Sequence, residues 1–192
     1  MKNTSFHIIL LIFTLILVAC SGVSIDPNMS ATVKDFEFTD QDNEVFSSEQ
    51  LKDDWWIAYF FYTNCTMVCP QTTANIVNVQ ATLNDEGITP PIIGFSVDPN
   101  FDTPEVLQDY ATMYDAHFDN MTFLTGYDFD SIKELANTSF ETVLDGGGPE
   151  AHAYAHSTSF FLVNPEGEVV KWYDGLSKED LENLVTDAKK VM

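Results

Sequence analysis

The strongest constraint on the fold is a run of apolar and aromatic residues, WWIAYFFY, at positions 55–62. A near-continuous run of this length is typical of a central strand that is buried on both faces of its sheet. A second run of this kind, PIIGFSV, lies at positions 91–97. Strands that are buried on both faces need helices above and below them, so the two runs predict an α/β protein.

Further helices and strands alternate along the rest of the chain. Apolar residues at helical spacing predict four helices, at 68–84, 104–114, 131–140 and from 177 onwards. Asp130 is expected to cap the third of them. Short or alternating apolar runs predict strands at 32–39, 121–124, 159–163 and 169–173. This order, with a turn at 164–167 joining the last two strands, indicates an α/β sandwich around a mixed β-sheet.

The first 20 residues indicate export. Lys2 precedes a 14-residue, almost wholly apolar run at 6–19, which is shorter than the ~20 residues of a membrane span and fits a signal peptide. The run ends in LVAC at Cys20, which resembles the lipobox of bacterial lipoproteins. The resemblance implies cleavage before Cys20, lipidation of its thiol and a location on the extracytoplasmic face of the cell membrane. An uncleaved anchor is the alternative. The expected divisions are a signal peptide at 1–19, a lipid-anchored linker at 20–30 and one domain at 31–192.

The charge of the chain limits its partners. Eight basic residues, all of them Lys, stand against 30 acidic residues, and the formal net charge is −22. Nucleic-acid binding needs a basic face that replaces phosphate counterions, so we expect no nucleic-acid partner. The absence of Arg also excludes a guanidinium fork over phosphate or carboxylate. We interpret the acidic excess as a solvated surface, and a docking face for a basic partner is the alternative. The absence of Arg is interpreted as an adaptation of the surface to salt or alkaline surroundings.

The Cys pair at positions 65 and 69 is the strongest candidate for chemistry. A disulfide over so short a loop removes little chain entropy. A reversible redox pair or a metal site is therefore favoured over a purely structural disulfide. The pair begins a predicted helix, where the i, i+4 spacing puts both sulfurs on one face and the helix N-terminus lowers a thiol pKa. Thiolates exchange disulfides and bind soft cations such as Cu(I). Zinc would also accept such ligands.

A histidine is the expected third member of the site. His156 directly precedes a predicted strand that can lie beside the strand leading to Cys65, so it is the candidate to reach the thiols. His152 is the weaker candidate in the same loop, which also carries a Gly-Gly-Gly-Pro stretch. His117 lies in polar sequence after a helix, and we expect it at the surface.

Three stretches carry a resemblance to a known family: TNCTMVCP, FSVDPNFDTPEVL and AHSTSFFLVNPEGEVV. They are similar, in this order, to the Sco/SenC family of copper-handling thioredoxin-fold proteins, and the similarity runs over residues 31–185. The resemblance implies a thioredoxin-like fold with an N-terminal β extension. It also implies that Cys65, Cys69 and His156 bind one copper ion, as Cu(I) or Cu(II). The family's Asp near the Cys pair falls on Asp98, which we expect to be an accessory group.

The resemblance further implies a role in the assembly of cytochrome c oxidase. Family members deliver copper to the binuclear copper centre of this enzyme, or keep that centre reduced. The expected partners are therefore the copper-site subunit of the oxidase and thiol–disulfide carrier proteins. A metallochaperone without turnover is the leading hypothesis, and a thiol–disulfide oxidoreductase that uses Cys65 and Cys69 is the alternative. A peroxiredoxin-type peroxidase is disfavoured because that family places an Arg beside its reactive Cys.

Overall fold

The computed structural model describes residues 25–146 and 154–192, and the following elements lie within them. The strands are β1 (Ala31–Thr32), β2 (Glu37–Asp40), β3 (Val45–Ser47), β4 (Trp56–Phe61), β5 (Ile92–Ser96), β6 (Met121–Thr125), β7 (Ser159–Val163) and β8 (Glu168–Asp174). The α-helices are α1 (Cys69–Asp85), α2 (Pro104–Met113), α3 (Phe129–Ser139) and α4 (Lys178–Val191). A 3-10 turn covers Ser48–Leu51. None of the helices in this part of the chain has the length and apolar character that a membrane span requires.

The strands form one mixed sheet in the order β1-β8-β7-β4-β5-β6-β2-β3. β4 runs parallel to β5 and antiparallel to β7, and β5 runs parallel to β6. The N-terminal strands extend this sheet at both edges, because β1 pairs with β8 while the β2–β3 hairpin pairs with β6. The predicted α/β sandwich with a mixed sheet and an N-terminal β extension is therefore confirmed.

The aromatic run at the centre of the sequence forms the centre of the core. Every residue of β4 is buried, as every residue of β5 is. The ring of Phe60 stacks on Phe95 of β5 at 5.5 Å and meets Phe140 edge-on at 5.3 Å. Close aromatic packing on both faces fixes the direction of β4, and with it the place where the chain leaves the sheet toward the Cys pair.

Two local predictions are corrected by the structure. The predicted strand at 32–39 is two strands, because hydroxyl groups of Ser139 and Ser48 accept the backbone N–H groups of Lys34 and Phe36 between them. Helix α3 is capped by Asp128, not by Asp130, and its carboxylate accepts the Ser131 N–H at 2.7 Å. Both Asp128 and Asp130 suit an N-cap, and only the geometry of the preceding turn separates them.

A half-buried ion-pair cluster joins the last helix to the sheet. Asp187 of α4 accepts hydrogen bonds from Lys171 of β8 and from Lys190, each at 2.7 Å. The Tyr173 hydroxyl donates to the same carboxylate at 3.0 Å. Burial alone would raise the pKa of Asp187, but the hydrogen bonds from Lys171 and Lys190 outweigh it and bring this pKa below its usual value.

Replacing this carboxylate should destabilise the fold in a pH-dependent way. We expect Asp187→Asn to lower the free energy of unfolding by about 1–3 kcal/mol at neutral pH, because two ammonium groups lose their charged partner. Since the folded-state pKa is depressed, this contribution is complete above the usual Asp pKa of about 3.9 and disappears as the pH falls through the folded-state value. Urea denaturation at neutral pH and below about pH 3 measures both effects.

The matched control is Glu182→Gln, which removes an acceptor from the exposed pair with Lys178. The side chains of that pair are 90% and 68% exposed, so we expect a change below about 0.5 kcal/mol. A loss of stability in Asp187→Asn that is the same at both pH values would contradict this account of the cluster.

Candidate metal centre

The two cysteines lie where the central strand passes into the first helix. β4 ends at Phe61, the chain bends, and Cys69 is the first residue of α1 with Pro70 in its first turn. The helix has no side-chain cap at Val68, and the N–H of its first residue, Cys69, hydrogen-bonds to the Cys65 sulfur. The Cys65 and Cys69 side chains are both buried free thiols, at 7% and 0% exposure. Cys69 lies at the helix N-terminus as predicted, but the prediction that both sulfurs share one helical face is wrong, because Cys65 lies in the non-helical bend before the helix.

His156 lies on the segment before β7 and contacts the cysteine pair, which follows β4. Its ligand nitrogen and the sulfurs of Cys65 and Cys69 all lie within 4.8 Å of one another. The shortest contact joins Cys69 Sγ to His156 Nε2 at 3.1 Å. Across the described residues this is the one group of three or more Cys, His, Asp or Glu with such spacing.

The tautomer of His156 is fixed by the backbone carbonyl of the next residue, Ser157. Nδ1 lies 2.8 Å from the Ser157 carbonyl oxygen, which can only accept a hydrogen bond, so Nδ1 carries the proton. Burial lowers the pKa of His156, and the ring is neutral at physiological pH. Nε2 therefore presents a lone pair to the thiols. A ligating histidine commonly donates its other ring N–H to a carbonyl in this way.

The two thiols differ in acidity. Burial raises the pKa of Cys69 well above its usual value, so its thiol is protonated and can donate to His156 Nε2. Burial also acts against ionisation of Cys65, but hydrogen bonds, led by the one from the Cys69 backbone N–H, outweigh it and lower the Cys65 pKa. The Met67 N–H and the Tyr62 hydroxyl act in the same direction. Cys65 is therefore the more reactive of the pair.

These residues fit a soft metal cation. Two thiolates and a neutral imidazole suit copper in either oxidation state, and the pre-set Nε2 lone pair needs no change of tautomer. Three protein donors leave a coordination position for a further ligand. The donor set on its own also suits zinc, so it does not identify the metal.

The predicted accessory residue Asp98 contacts the site through another side chain. Its carboxylate accepts the Tyr154 hydroxyl at 2.9 Å. The Tyr154 ring lies edge-on to Tyr62 at 5.3 Å, and Tyr62 in turn lies edge-on to His156 at 5.6 Å. Asp98 is thus connected to the histidine side of the site.

Asp102, which sequence reasoning missed, supports the cysteine side. This fully buried carboxylate accepts the Thr63 N–H at 3.2 Å, the Thr63 hydroxyl, and the Ser96 hydroxyl at 2.5 Å. It therefore fixes the bend two residues before Cys65. The sequence pattern does not distinguish Asp102 from Asp98. Asp98 lies four residues earlier, and turn residues follow both.

Three further residues carry predictions from the sequence: His117, Cys20 and His152. His117 is exposed, as predicted. Cys20 and His152 lie outside the described residues, so their expected roles stay predictions.

The fold and the site define a class: α/β proteins with a Cys pair and a His at the carboxyl end of a central strand. Comparison with known proteins then identifies the family. The SCO1/SenC family model matches residues 25–192, and the chain belongs to this family. The SCO1 protein homolog of Bacillus subtilis (strain 168) is 40% identical over 175 residues, which cover 91% of this chain and 90% of that protein.

Solved structures agree with this assignment. BsSco, described as a member of the Sco family of cytochrome c oxidase assembly proteins, is 38% identical with a TM-score of 0.78, over 87% of this chain and 96% of that one. Yeast Sco1 with copper bound is 27% identical with a TM-score of 0.67, over 83% and 89%. The predicted thioredoxin-like fold and the predicted family are both confirmed.

The unequal acidity of the thiols predicts unequal reactivity. In the reduced, metal-free protein, iodoacetamide should modify Cys65 before Cys69, with a midpoint for Cys65 below the ordinary pKa of a thiol. Mass spectrometry of the alkylated peptides across a pH series measures the order of modification and the midpoint for each cysteine. Tyr62→Phe removes one hydrogen bond to the Cys65 sulfur and should raise the midpoint for Cys65. Modification of Cys69 first, or at the same rate, would contradict the assigned hydrogen bonds.

Proposed function

We propose that this protein is a membrane-anchored, extracytoplasmic copper chaperone for cytochrome c oxidase. It binds one copper ion through Cys65, Cys69 and His156 and delivers it to the binuclear copper centre of the oxidase. The observation that carries the proposal is the convergence of three soft or borderline donors within 4.8 Å of one another. Copper is the metal that the comparisons support, because yeast Sco1 has been solved with copper bound.

Loading of the site moves protons as well as metal. Each thiol that binds copper as a thiolate releases one proton to solvent, and the high pKa of Cys69 makes its proton the harder one to remove. His156 Nε2, now the acceptor of the Cys69 thiol, becomes free for the metal when that proton leaves. Copper therefore replaces the S–H···N hydrogen bond as the link between the two sides of the site.

Unloading needs no change in oxidation state. Thiolates of the recipient bind copper at the open position, and the bonds from copper to Cys65, Cys69 and His156 break as the new sulfur–copper bonds form. The two released sulfurs take up protons from solvent. The recipient that we propose is the copper-site subunit of the oxidase, in keeping with the description of the BsSco relative as an assembly protein.

Thiol–disulfide exchange with a partner is the second candidate function. The lowered pKa of Cys65 beside a protonated Cys69 is the pattern of an attacking thiol with a resolving partner. In this role Cys65 attacks a partner disulfide, Cys69 resolves the mixed disulfide, and the pair leaves oxidised. Carrier proteins with a dithiol then restore it. A disulfide between the two cysteines removes both thiolate ligands, so copper loading depends on reduction.

Anchoring rests on the N-terminal sequence. Lipidation of Cys20 is proposed because LVAC resembles a lipobox after a signal-type apolar run. The test is the intact mass of the protein purified from membranes: loss of the first 19 residues plus a diacylglyceryl group supports the anchor. Cys20→Ala should leave the protein uncleaved. An unmodified thiol at residue 20 would overturn this part of the proposal.

A copper titration tests the chaperone function. The mature chain without its lipid, residues 21–192, should bind one copper per molecule when reduced and anaerobic, with thiolate-to-Cu(II) absorption when Cu(II) is used. Cys65→Ser and Cys69→Ser should abolish tight binding. His156→Ala should weaken it by at least the 10- to 100-fold that is typical of losing a group that orients a ligand.

His117→Ala is the matched control, because this exposed histidine lies outside the site and its loss should leave the titration unchanged. Binding that survives loss of both cysteines would overturn the copper proposal. Binding that needs the cysteines but is indifferent to His156 would favour the thiol–disulfide role, and the Cys65–Cys69 reduction potential would then be the deciding quantity.

A further inference from the structure

Among the described residues, a single hydrogen bond joins the segment that carries His156 to the turn after β5. The Tyr154 hydroxyl donates to the Asp98 carboxylate at 2.9 Å, and Tyr154 lies two residues before the histidine. We propose that Tyr154 is a positioning residue for copper binding, which holds His156 against the two thiols through its hydrogen bond to Asp98. The inference deepens the proposed function, since it takes copper to be the ion that the site binds.

Among the described residues, the segment between residue 154 and the start of β7 has two further attachments to the chain. At its end, the Thr158 carbonyl accepts the Gly175 N–H at 3.1 Å and the Thr158 hydroxyl donates to Asp174 at 3.3 Å. Ala155 and Asp145 exchange backbone hydrogen bonds of 3.0 and 2.7 Å, which tie the segment to the chain after α3. The Nδ1 contact of His156 runs to its own neighbour Ser157 and adds no tie to the thiols. Among the described residues, the Tyr154 hydroxyl therefore supplies the side-chain hydrogen bond that leads from this segment toward the cysteine side in addition to the direct contact between His156 and Cys69.

From Asp98 a network of hydrogen bonds continues to Thr63, in the bend before Cys65. The Asp98 N–H donates to the Ser96 hydroxyl oxygen at 3.1 Å, and the Ser96 hydroxyl donates to the Asp102 carboxylate at 2.5 Å. Asp102 holds the Thr63 N–H at 3.2 Å, two residues before Cys65. Tyr154 thus connects the histidine segment to the same turn that fixes the cysteine bend.

Aromatic packing allows the hydroxyl to be tested by itself. The Tyr154 ring lies between Tyr62 at 5.3 Å and Phe129 at 5.4 Å. Tyr154→Phe keeps both ring contacts and removes only the donor to Asp98. Any change in copper binding is then attributable to the hydrogen bond.

The physical effect is one of preorganisation. A hydrogen bond from a hydroxyl to a carboxylate is charge-assisted and stronger than a neutral one. Without it, conformations in which His156 lies away from the thiols gain population. The apparent affinity for the metal falls in proportion to the fraction of molecules that remain competent, and release becomes faster. The value of a net hydrogen bond corresponds to a change of about three- to tenfold.

The experiment measures copper release from the full chain in detergent to a Cu(I) chelator, bathocuproine disulfonate. Tyr154→Phe should still bind one copper but release it about three- to tenfold faster than the unmodified chain. In a His156→Ala background the same substitution should have no further effect, because Tyr154 acts through that histidine. Asp98→Ala should reproduce the change and should not add to it.

The matched control is Tyr173→Phe, which also removes a tyrosine donor from an aspartate, Asp187, but one that lies between β8 and α4. It should leave copper release unchanged. A Tyr154→Phe effect of equal size with and without His156, or a rate of release like that of the unmodified chain, would overturn the proposal.

A second readout needs no metal. Hydrogen exchange followed by mass spectrometry of peptides that contain Ala155 should show faster exchange in metal-free Tyr154→Phe and Asp98→Ala, because the Ala155–Asp145 bridge is less constrained. Unchanged exchange in both variants would overturn the positioning role. If the unmodified chain binds no copper, the proposed function fails, and hydrogen exchange alone then decides whether Tyr154 orders the His156 segment.

Discussion

The antiparallel pairing of β4 with β7 is the constraint on which the site depends. Tyr59 of β4 lies opposite Phe160 of β7, so the C-terminal end of β4 lies beside the N-terminal end of β7. The cysteines follow β4 and His156 precedes β7. The 3.1 Å contact between Cys69 and His156 therefore bridges 87 residues of sequence without needing a long structured loop. The aromatic core around Phe60 keeps this register in place.

The site combines a rigid side with a more loosely held side. The cysteines are anchored by a buried strand, a helix N-terminus and the Asp102 carboxylate. The histidine lies on a segment with few attachments, and its Nδ1–H contact to Ser157 sets its tautomer. This division suits a protein that must both bind and release a metal, because a ligand that leaves easily lowers the barrier to transfer.

Much of this arrangement could be predicted from the sequence. Uninterrupted apolar runs gave the buried strands, the Cys pair followed by Pro70 gave the helix start, and a strand beginning after His156 placed this residue near the thiols. What could not be predicted depends on tertiary hydrogen bonds. The break at Lys34 and Phe36 needs hydroxyls from distant residues, and the choice of Asp128 over Asp130 needs the turn geometry. The Tyr154–Asp98 contact joins two loops whose mutual placement has no periodic signature.

The central claim is that one copper ion is held jointly by two sulfurs and one imidazole nitrogen. X-ray absorption spectroscopy of the copper-loaded protein measures those ligands directly. The account predicts two sulfur scatterers and one histidine nitrogen in the first coordination sphere, with the imidazole signal lost in His156→Ala and both sulfurs kept. A sphere of sulfur alone in the unmodified protein, or a histidine signal that persists in His156→Ala, would contradict it.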